Sequence, residues 1–315
     1  MTSNEPAGAA APAPSRRYGG LADLPRLLEF ASRAVTARAP LFACWHPGDL
    51  IWELAERADQ PQPARFWTGA DGVDALAWFV GPGELWLEAM PGRDDLLAEA
   101  IGWGERRWAE RAPPGEAVLK VRAQLADAPR IATYERLGFR RFGPEGVLFR
   151  FDLAHEPPPV EAPAGFRVRD SVGVDPARRA AAHRAAWSHL EHLGIHGESQ
   201  FTTERYRAIA ALPVYDPSLD MLVEGPDGEL VANCVLWPDH ASGVGVFEPV
   251  GTALAYRGRR LVRVMMREAL RRLRQRGHRE ARVGTAHFNA AAIAAYEAAD
   301  FELVDRLDWW AKPLR

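Results

Sequence analysis

The sequence predicts an α+β chain built from two similar halves, each alternating strands with helices. Three observations predict it. First, a pattern recurs at a constant offset of 162 positions: Asp127, Ile131, Ala132, Tyr134, Glu135 and Phe139 return as Asn289, Ile293, Ala294, Tyr296, Glu297 and Phe301, with Val121 and Val283 in the strands before. Second, the run AHEPPPVEAPAG, Ala154 to Gly165, holds four prolines that neither pair into a sheet nor continue a helix. Third, on both sides of this run, apolar residues switch between a period of two and a spacing of three to four. The division expected is a disordered tail over 1–17, a first domain over 18–153, a linker over 154–165 and a second domain over 166–315.

In the first half, Leu21 to Ala37 reads as a helix. LFACW and LIWELAE follow, separated by the turn signal His46-Pro47-Gly48-Asp49. Arg65–Thr68 and Ala75–Val80 read as paired strands, and Leu85–Met90 as a third, closed by Pro91-Gly92. Leu96–Trp108 is a helix and Ala117–Ala123 a strand. Arg130–Leu137 is a short helix stopped by Gly138, and Val147–Leu153 a final strand. In the second half, Asp175–Leu190 is a helix carrying His183, Trp187 and His189. Thr202 or Thr203 caps a helix through Ala211. Leu219–Glu224 and Glu229–Trp237 form a hairpin around Gly225-Pro226-Asp227-Gly228. Then come Val244 to Arg276, the strand Ala281–Thr285, the helix Ala290–Ala299 and the strand Leu303–Trp310.

Val244 to Arg276 organises the rest. Val244, Val246, Glu248 and Val250 fall on one strand face at period two. A loop, Ala253 to Arg260, leads into a helix with Leu261, Met265, Met266, Ala269, Leu270 and Leu273 as its apolar stripe. Arg257, Arg259, Arg260 and Arg263 crowd the start of that helix. Cations there oppose the helix dipole by roughly 0.3–1 kcal/mol each, while free N–H groups at that end favour an anion. A bound phosphate explains the placement. The other reading is a solvated arginine face, which Arg267, Arg271, Arg272 and Arg274 continue. The first half has no such loop: Pro91-Gly92-Arg93-Asp94-Asp95 joins strand to helix, and its two Asp would repel phosphate. One anion site, in the second half, is therefore expected.

Composition narrows the function classes. The chain has 315 residues, 47% of them hydrophobic, and a net charge of −3. That suffices for two cores and argues against a general nucleic-acid binder. Lysine occurs only at Lys120 and Lys312. Cys44 and Cys234 stand alone in different halves, with neither a disulfide framework nor zinc spacing, which fits a reducing cytoplasm. No apolar run approaches the roughly 18 residues of a membrane span, and the first 17 residues lack the apolar core of a signal peptide.

YRGRRLVRVMMREAL followed by NAAAIAAYEAADF resembles the acyl-CoA-binding motifs of the GNAT acetyltransferase superfamily, and ATYERLGFRR resembles the second motif alone. From Leu21 onward the chain is similar to tandem GNAT proteins, the first half being degenerate. The resemblance implies two mixed, mostly antiparallel twisted sheets flanked by helices. It implies acetyl-CoA as co-substrate without a metal, a small amine acceptor, and direct attack of amine on thioester in the second half. Carried over, Val250, Gly251 and Thr252 meet pantetheine, and Arg257, Gly258, Arg259, Arg260, Leu261, Val262 and Arg263 meet the diphosphate. Tyr296 stands where the family places a tyrosine that protonates the departing thiolate; its other reading is a helix aromatic packed on the sheet. Glu248 is a candidate base for the amine or an outward strand carboxylate. Asn289 either bonds pantetheine or caps the following helix. His183, Trp187, His189, His192 and His196 fall in the region that lines the family's acceptor pocket, while Trp309 and Trp310 read as core or interface.

Two departures from the family loop matter. Arg260 and Val262 stand where small residues are usual, and Asp300 replaces a Gly before Phe301. With φ > 0 at 260, Arg costs roughly 1–2 kcal/mol; with a helical φ it is unstrained and free to add a phosphate contact. The alternative function is a non-catalytic CoA-binding or scaffold protein. Binding to nucleic acid or membrane is not expected, and the assembly is a monomer or homodimer.

Overall fold

The structure, a computed structural model, describes residues 14–56, 64–113, 115 and 117–314. The first half runs β1 (Ser15–Arg17), α1 (Leu24–Arg38), α2 (Pro47–Glu56), β2 (Ala64–Gly69), β3 (Gly72–Gly81), β4 (Glu84–Ala89), α3 (Asp94–Ala109), β5 (Val118–Gln124), α4 (Ala128–Arg136) and β6 (Arg140–Asp152). The second runs β7 (Arg167–Asp170), α5 (Pro176–Ala186), α6 (Thr203–Ala210), β8 (Asp220–Glu224), β9 (Leu230–Asp239), β10 (Val244–Thr252), α7 (Leu261–Gln275), β11 (Glu280–Ala286), α8 (Ala290–Ala298) and β12 (Glu302–Pro313).

The twelve strands among the described residues form one sheet, ordered β1-β2-β3-β4-β5-β12-β6-β11-β10-β9-β8-β7. It is antiparallel except at β4–β5 and β10–β11, so the α+β class and the mixed sheet are as the sequence implied. The centre of the order was not anticipated. β12, the last strand of the second half, pairs with β5 of the first, while β6, the last strand of the first half, pairs with β11 of the second. β6 and β12 lie side by side. Each half is thus closed by the other's final strand, and Trp310 packs in the core of α3, α4 and β3–β5.

Alternation along the strands divides the core. On one sheet face, α1 and α2 meet α6 and the inward residues of β9 and β10 in a cluster spanning both halves. Gly48, at the start of α2, lies flat on Trp237, where a Cβ would sit 2.3 Å from that residue's own Cβ. On the other face, α7 and α8 cover the second half and α3 and α4 the first.

Several expectations change. Ser15–Arg17, placed in the tail, pairs with β2; residues 1–13 lie outside the described residues. His46-Pro47-Gly48-Asp49 is a helix start rather than a loop: the Asp49 carboxylate accepts from His46 N at 2.8 Å. The helix expected through Leu190 ends at Ala186. The four residues expected on one face of β10 do not share it. Val244 and Val246 face α1 and α2, but a bulge between Phe247 and Val250 shifts the register, and Val250 turns toward α7. Nor is the arginine face of α7 all solvated. Arg267 is buried, donating to Pro158 O at 3.3 Å and paired with Asp300. Arg274 donates to Leu153 O at 3.2 Å, and Arg272 bonds Asp170 at 2.6 Å. These side chains fasten the proline-rich segment and β7 to α7.

Candidate functional site

β10 and β11 pair only from Val244 to Val246. Beyond that the parallel strands part, and Val250, Gly251 and Thr252 pair with β9 alone. The opposite edge of their backbone borders a cleft of about 440 Å³. That cleft is lined by Val250, Gly251, Thr252, Arg257, Gly258, Arg259, Arg260, Leu261, Val262, Arg263, Asn289 and Tyr296, so the residues singled out along the sequence for cofactor binding meet in one place. α8 presents Ala291, Ala292 and Ala295 to it, small side chains that leave the groove open. The far wall is Ala186 and Trp187 of the α5 end. A Cβ on Gly251 would stand 2.8 Å from the Ala186 Cβ and 2.9 Å from the Trp187 Nε1, so only glycine lets strand and wall approach this closely.

The helix start in this cleft lacks a side-chain cap. α5, α6 and α8 are capped by Asp175, Thr202 and Asn289; α7 follows Arg260, whose side chain accepts nothing. Its first N–H groups therefore keep their capacity for an anion. Within the lining, Thr252 Oγ1, Trp187 Nε1 and Arg263 Nε are buried without a partner. Gly258 and Arg260 both adopt positive φ, 76° and 61°, which decides between the two conformations open for Arg260. The left-handed residue turns the chain into the helix, at a cost of order 1 kcal/mol for a side chain with a Cβ. Arg260→Gly is therefore expected to raise the thermal midpoint by about 2–4 °C, read by calorimetry. Asp300 is likewise left-handed, φ 65°, and held by Arg267.

Tyr296 and Tyr134 occupy equivalent places and differ in environment. The Tyr134 hydroxyl donates to Arg122 O at 3.1 Å. The Tyr296 hydroxyl donates to none of the described residues, although the ring is buried against Phe149 and lines the cleft. Burial, with Glu248 nearby, pushes its ionisation well above the ordinary tyrosine range, so it remains a phenol at neutral pH. Glu248, half-buried in the bulge, lies outside the cleft proper, on the walls of two chambers behind it. Asn289 meets one of its two readings, the cap. It caps α8 through Ala292 N at 3.3 Å, donates to Thr285 Oγ1 at 3.0 Å, and lines the cleft.

The first half has a similar parting but fills it. β4 and β5 pair only at Glu84 and Lys120. Into the gap reaches Arg130, donating to Leu87 O at 3.1 Å and bonding the Glu88 carboxylate, with Asp127 and Arg38 completing a buried ion network. At the equivalent place in the second half stands Ala292. One side chain thus separates an open groove from a plugged one.

Of the histidines, His183 is buried between Trp52, Trp187 and Phe201. Burial lowers its pKa to about 3, so it is neutral. His189 and His196 are exposed, His196 being bonded to Glu191; the side chain of His192 lies outside those described. Sequence reasoning missed the chamber between the halves, lined by Cys44, Asp49, Glu53, Arg122 and Arg282. A signal was present: Asp49 and Glu53 are one helical turn apart, and Arg282 interrupts an apolar strand. Burial raises the Asp49 pKa to about 6. An acid whose folded pKa lies above its unfolded value loses stability as pH rises between the two. Asp49→Asn should therefore raise the melting temperature at pH 7.5 by a few degrees, and the gain should vanish as pH falls toward 4.

The parted parallel strand pair, the uncapped basic helix start and the buried phenol all fall between β10 and α8. Residues 185–301 match the model of the acetyltransferase (GNAT) family. That match lies within the second half, and the whole chain has the fold of a solved tandem GNAT protein. It is 31% identical to the mycothiol acetyltransferase of Kineococcus radiotolerans over 167 residues, 53% of this chain and 48% of that protein. The chain therefore matches about half the length of this curated relative. Among solved structures, a tandem GNAT protein from the clavulanic acid biosynthesis pathway superimposes with a TM-score of 0.65 at 15% identity, covering 96% of this chain and 99% of that one. A GCN5-related N-acetyltransferase from Sphaerobacter thermophilus gives 0.60 at 22%, covering 96% and 95%. These likenesses bear on the fold. Among the described residues no helix is long and apolar enough to cross a membrane, and no group of His, Cys, Asp or Glu is placed to hold a metal.

Proposed function

We propose that the second half transfers an acetyl group from acetyl-CoA to an amine. The observation that carries this reading is the cleft itself: an unpaired strand edge at Val250–Thr252, an uncapped helix start ringed by Arg257, Arg259, Arg260 and Arg263, and Tyr296 in one groove. The buried, partnerless Thr252 Oγ1 and Arg263 Nε suit a ligand with amide and phosphate oxygens. The strand edge holds the pantetheine arm and the helix start the diphosphate. Glu248 takes a proton from the ammonium of the acceptor, directly or through water. The neutral amine attacks the thioester carbonyl; the C–N bond forms and the C–S bond breaks. Tyr296 gives its phenolic proton to the departing thiolate and recovers one from the acylated nitrogen. The plug at Arg130 leaves the first half a supporting role. The reaction belongs in the cytoplasm, where Cys44 and Cys234 stay reduced, and the protein works as a monomer or homodimer.

Calorimetric titration with acetyl-CoA, followed by thiol release over an amine panel, tests the reading. Binding with turnover supports it. Binding without turnover returns the non-catalytic alternative, which rests on Arg260 and Val262, and no binding removes both.

A further inference from the structure

The chamber between the halves, about 280 Å³, lies on the sheet face that carries α1 and α2. Its wall bears charge of both signs: Asp49 and Glu53 from α2, Glu248 from β10, Arg122 from β5 and Arg282 from β11. Arg122 is satisfied within the protein. It donates to Cys44 O at 3.1 Å, lies 3.4 Å from the centre of the Trp86 ring and stands 3.6 Å from Glu145.

Arg282 is different. Its side chain is only 6% exposed. Its Nε is bonded by Glu280 and its plane lies 4.2 Å from the centre of the Phe42 ring. Its two terminal nitrogens donate to none of the described residues, and they face the chamber. Buried guanidinium donors are costly when unmet and fit a carboxylate in a two-pronged bond. Asp49 is the complement. One of its oxygens accepts from His46 N, and no cation among the described residues lies within ion-pair distance. Burial raises its pKa, which Arg122 and Arg282 across the chamber only partly offset. Asp49 and the terminal nitrogens of Arg282 thus line one small chamber without pairing with each other.

The geometry points to an acceptor that carries an amine and a carboxylate in one small molecule, an amino acid or short peptide. Its carboxylate sits on Arg282 and its amine lies toward Asp49, Glu53 and Glu248. The identity of this ligand as acceptor rests on the acetyl-transfer reading; the two-charge seat stands on the chamber alone. The first half then has a task, because it supplies most of the wall, with Asp49 and Glu53 from α2 and Arg122 from β5.

The test is calorimetric titration of the full chain, with CoA present, against the twenty protein amino acids and a set of dipeptides. Each compound is paired with its carboxamide. At least one acid should bind about tenfold or more tightly than its amide. Arg282→Met should bring that ratio close to one while leaving CoA affinity unchanged. Amides that bind as well as acids, no acid that binds, or a ratio intact in Arg282→Met would each overturn the proposal. The wild-type comparison decides even where the variant does not fold. Acid-selective binding without acetyl transfer removes the proposed reaction and keeps the seat; transfer to amines without acid selectivity does the reverse.

Discussion

Arg257→Glu is expected to weaken acetyl-CoA binding by about 100-fold or more while leaving the melting temperature nearly unchanged. Arg257 is exposed at the mouth of the cleft. Its Nε donates to Thr252 O at 3.2 Å, so the strand end aims the guanidinium across the groove. The substitution removes a charge-assisted phosphate bond, worth about 1.5–3 kcal/mol, and sets a carboxylate against the same anion. Roughly 3 kcal/mol is about 100-fold. Because the side chain is exposed, the cost to folding is small. Titration calorimetry beside a thermal melt separates the two effects. Wild-type affinity in a folded Arg257→Glu protein would place the diphosphate elsewhere.

Tyr296→Phe is expected to lower kcat by about 10²–10⁴ with little change in acetyl-CoA affinity. The hydroxyl makes no hydrogen bond to any described residue, so its loss leaves no orphaned partner and little destabilisation is expected. The whole effect should therefore fall on the chemical step, in single-turnover kinetics with the acetyl donor saturating. Unchanged turnover would make Tyr296 a packing aromatic against Phe149, the other reading of its sequence context.

The sequence carried local information well. Asp127, Asp175, Thr202 and Asn289 mark helix starts because a short polar side chain preceding a helix satisfies its free N–H groups, and all four do so in the structure. The cleft-lining residues were legible because they sit on consecutive elements, strand, loop and helix, so nearness along the chain became nearness in space. Three features were not legible. The register shift at Glu248-Pro249 breaks the alternation that was read as a single face, and a period of two contains no term for a bulge. The exchange of β6 and β12 depends on which strand each meets, and hydrophobic alternation reports a face but not a partner. Arg267 looked solvated because a charged side chain on a polar stripe usually is; the proline-rich segment that covers it comes from more than a hundred positions earlier in the chain. Asp49 and Arg282 belong to different halves, and only the folded sheet brings them to one chamber.

The crossing of the two closing strands has a consequence for synthesis on the ribosome. β5 leaves the exit tunnel long before β12 is made. At 5–20 residues per second, the nascent first half waits roughly 10–40 seconds for the strand that covers its edge. During that interval β6 is the nearest available mate, and a nascent chain that accepts it holds a pairing it must later surrender.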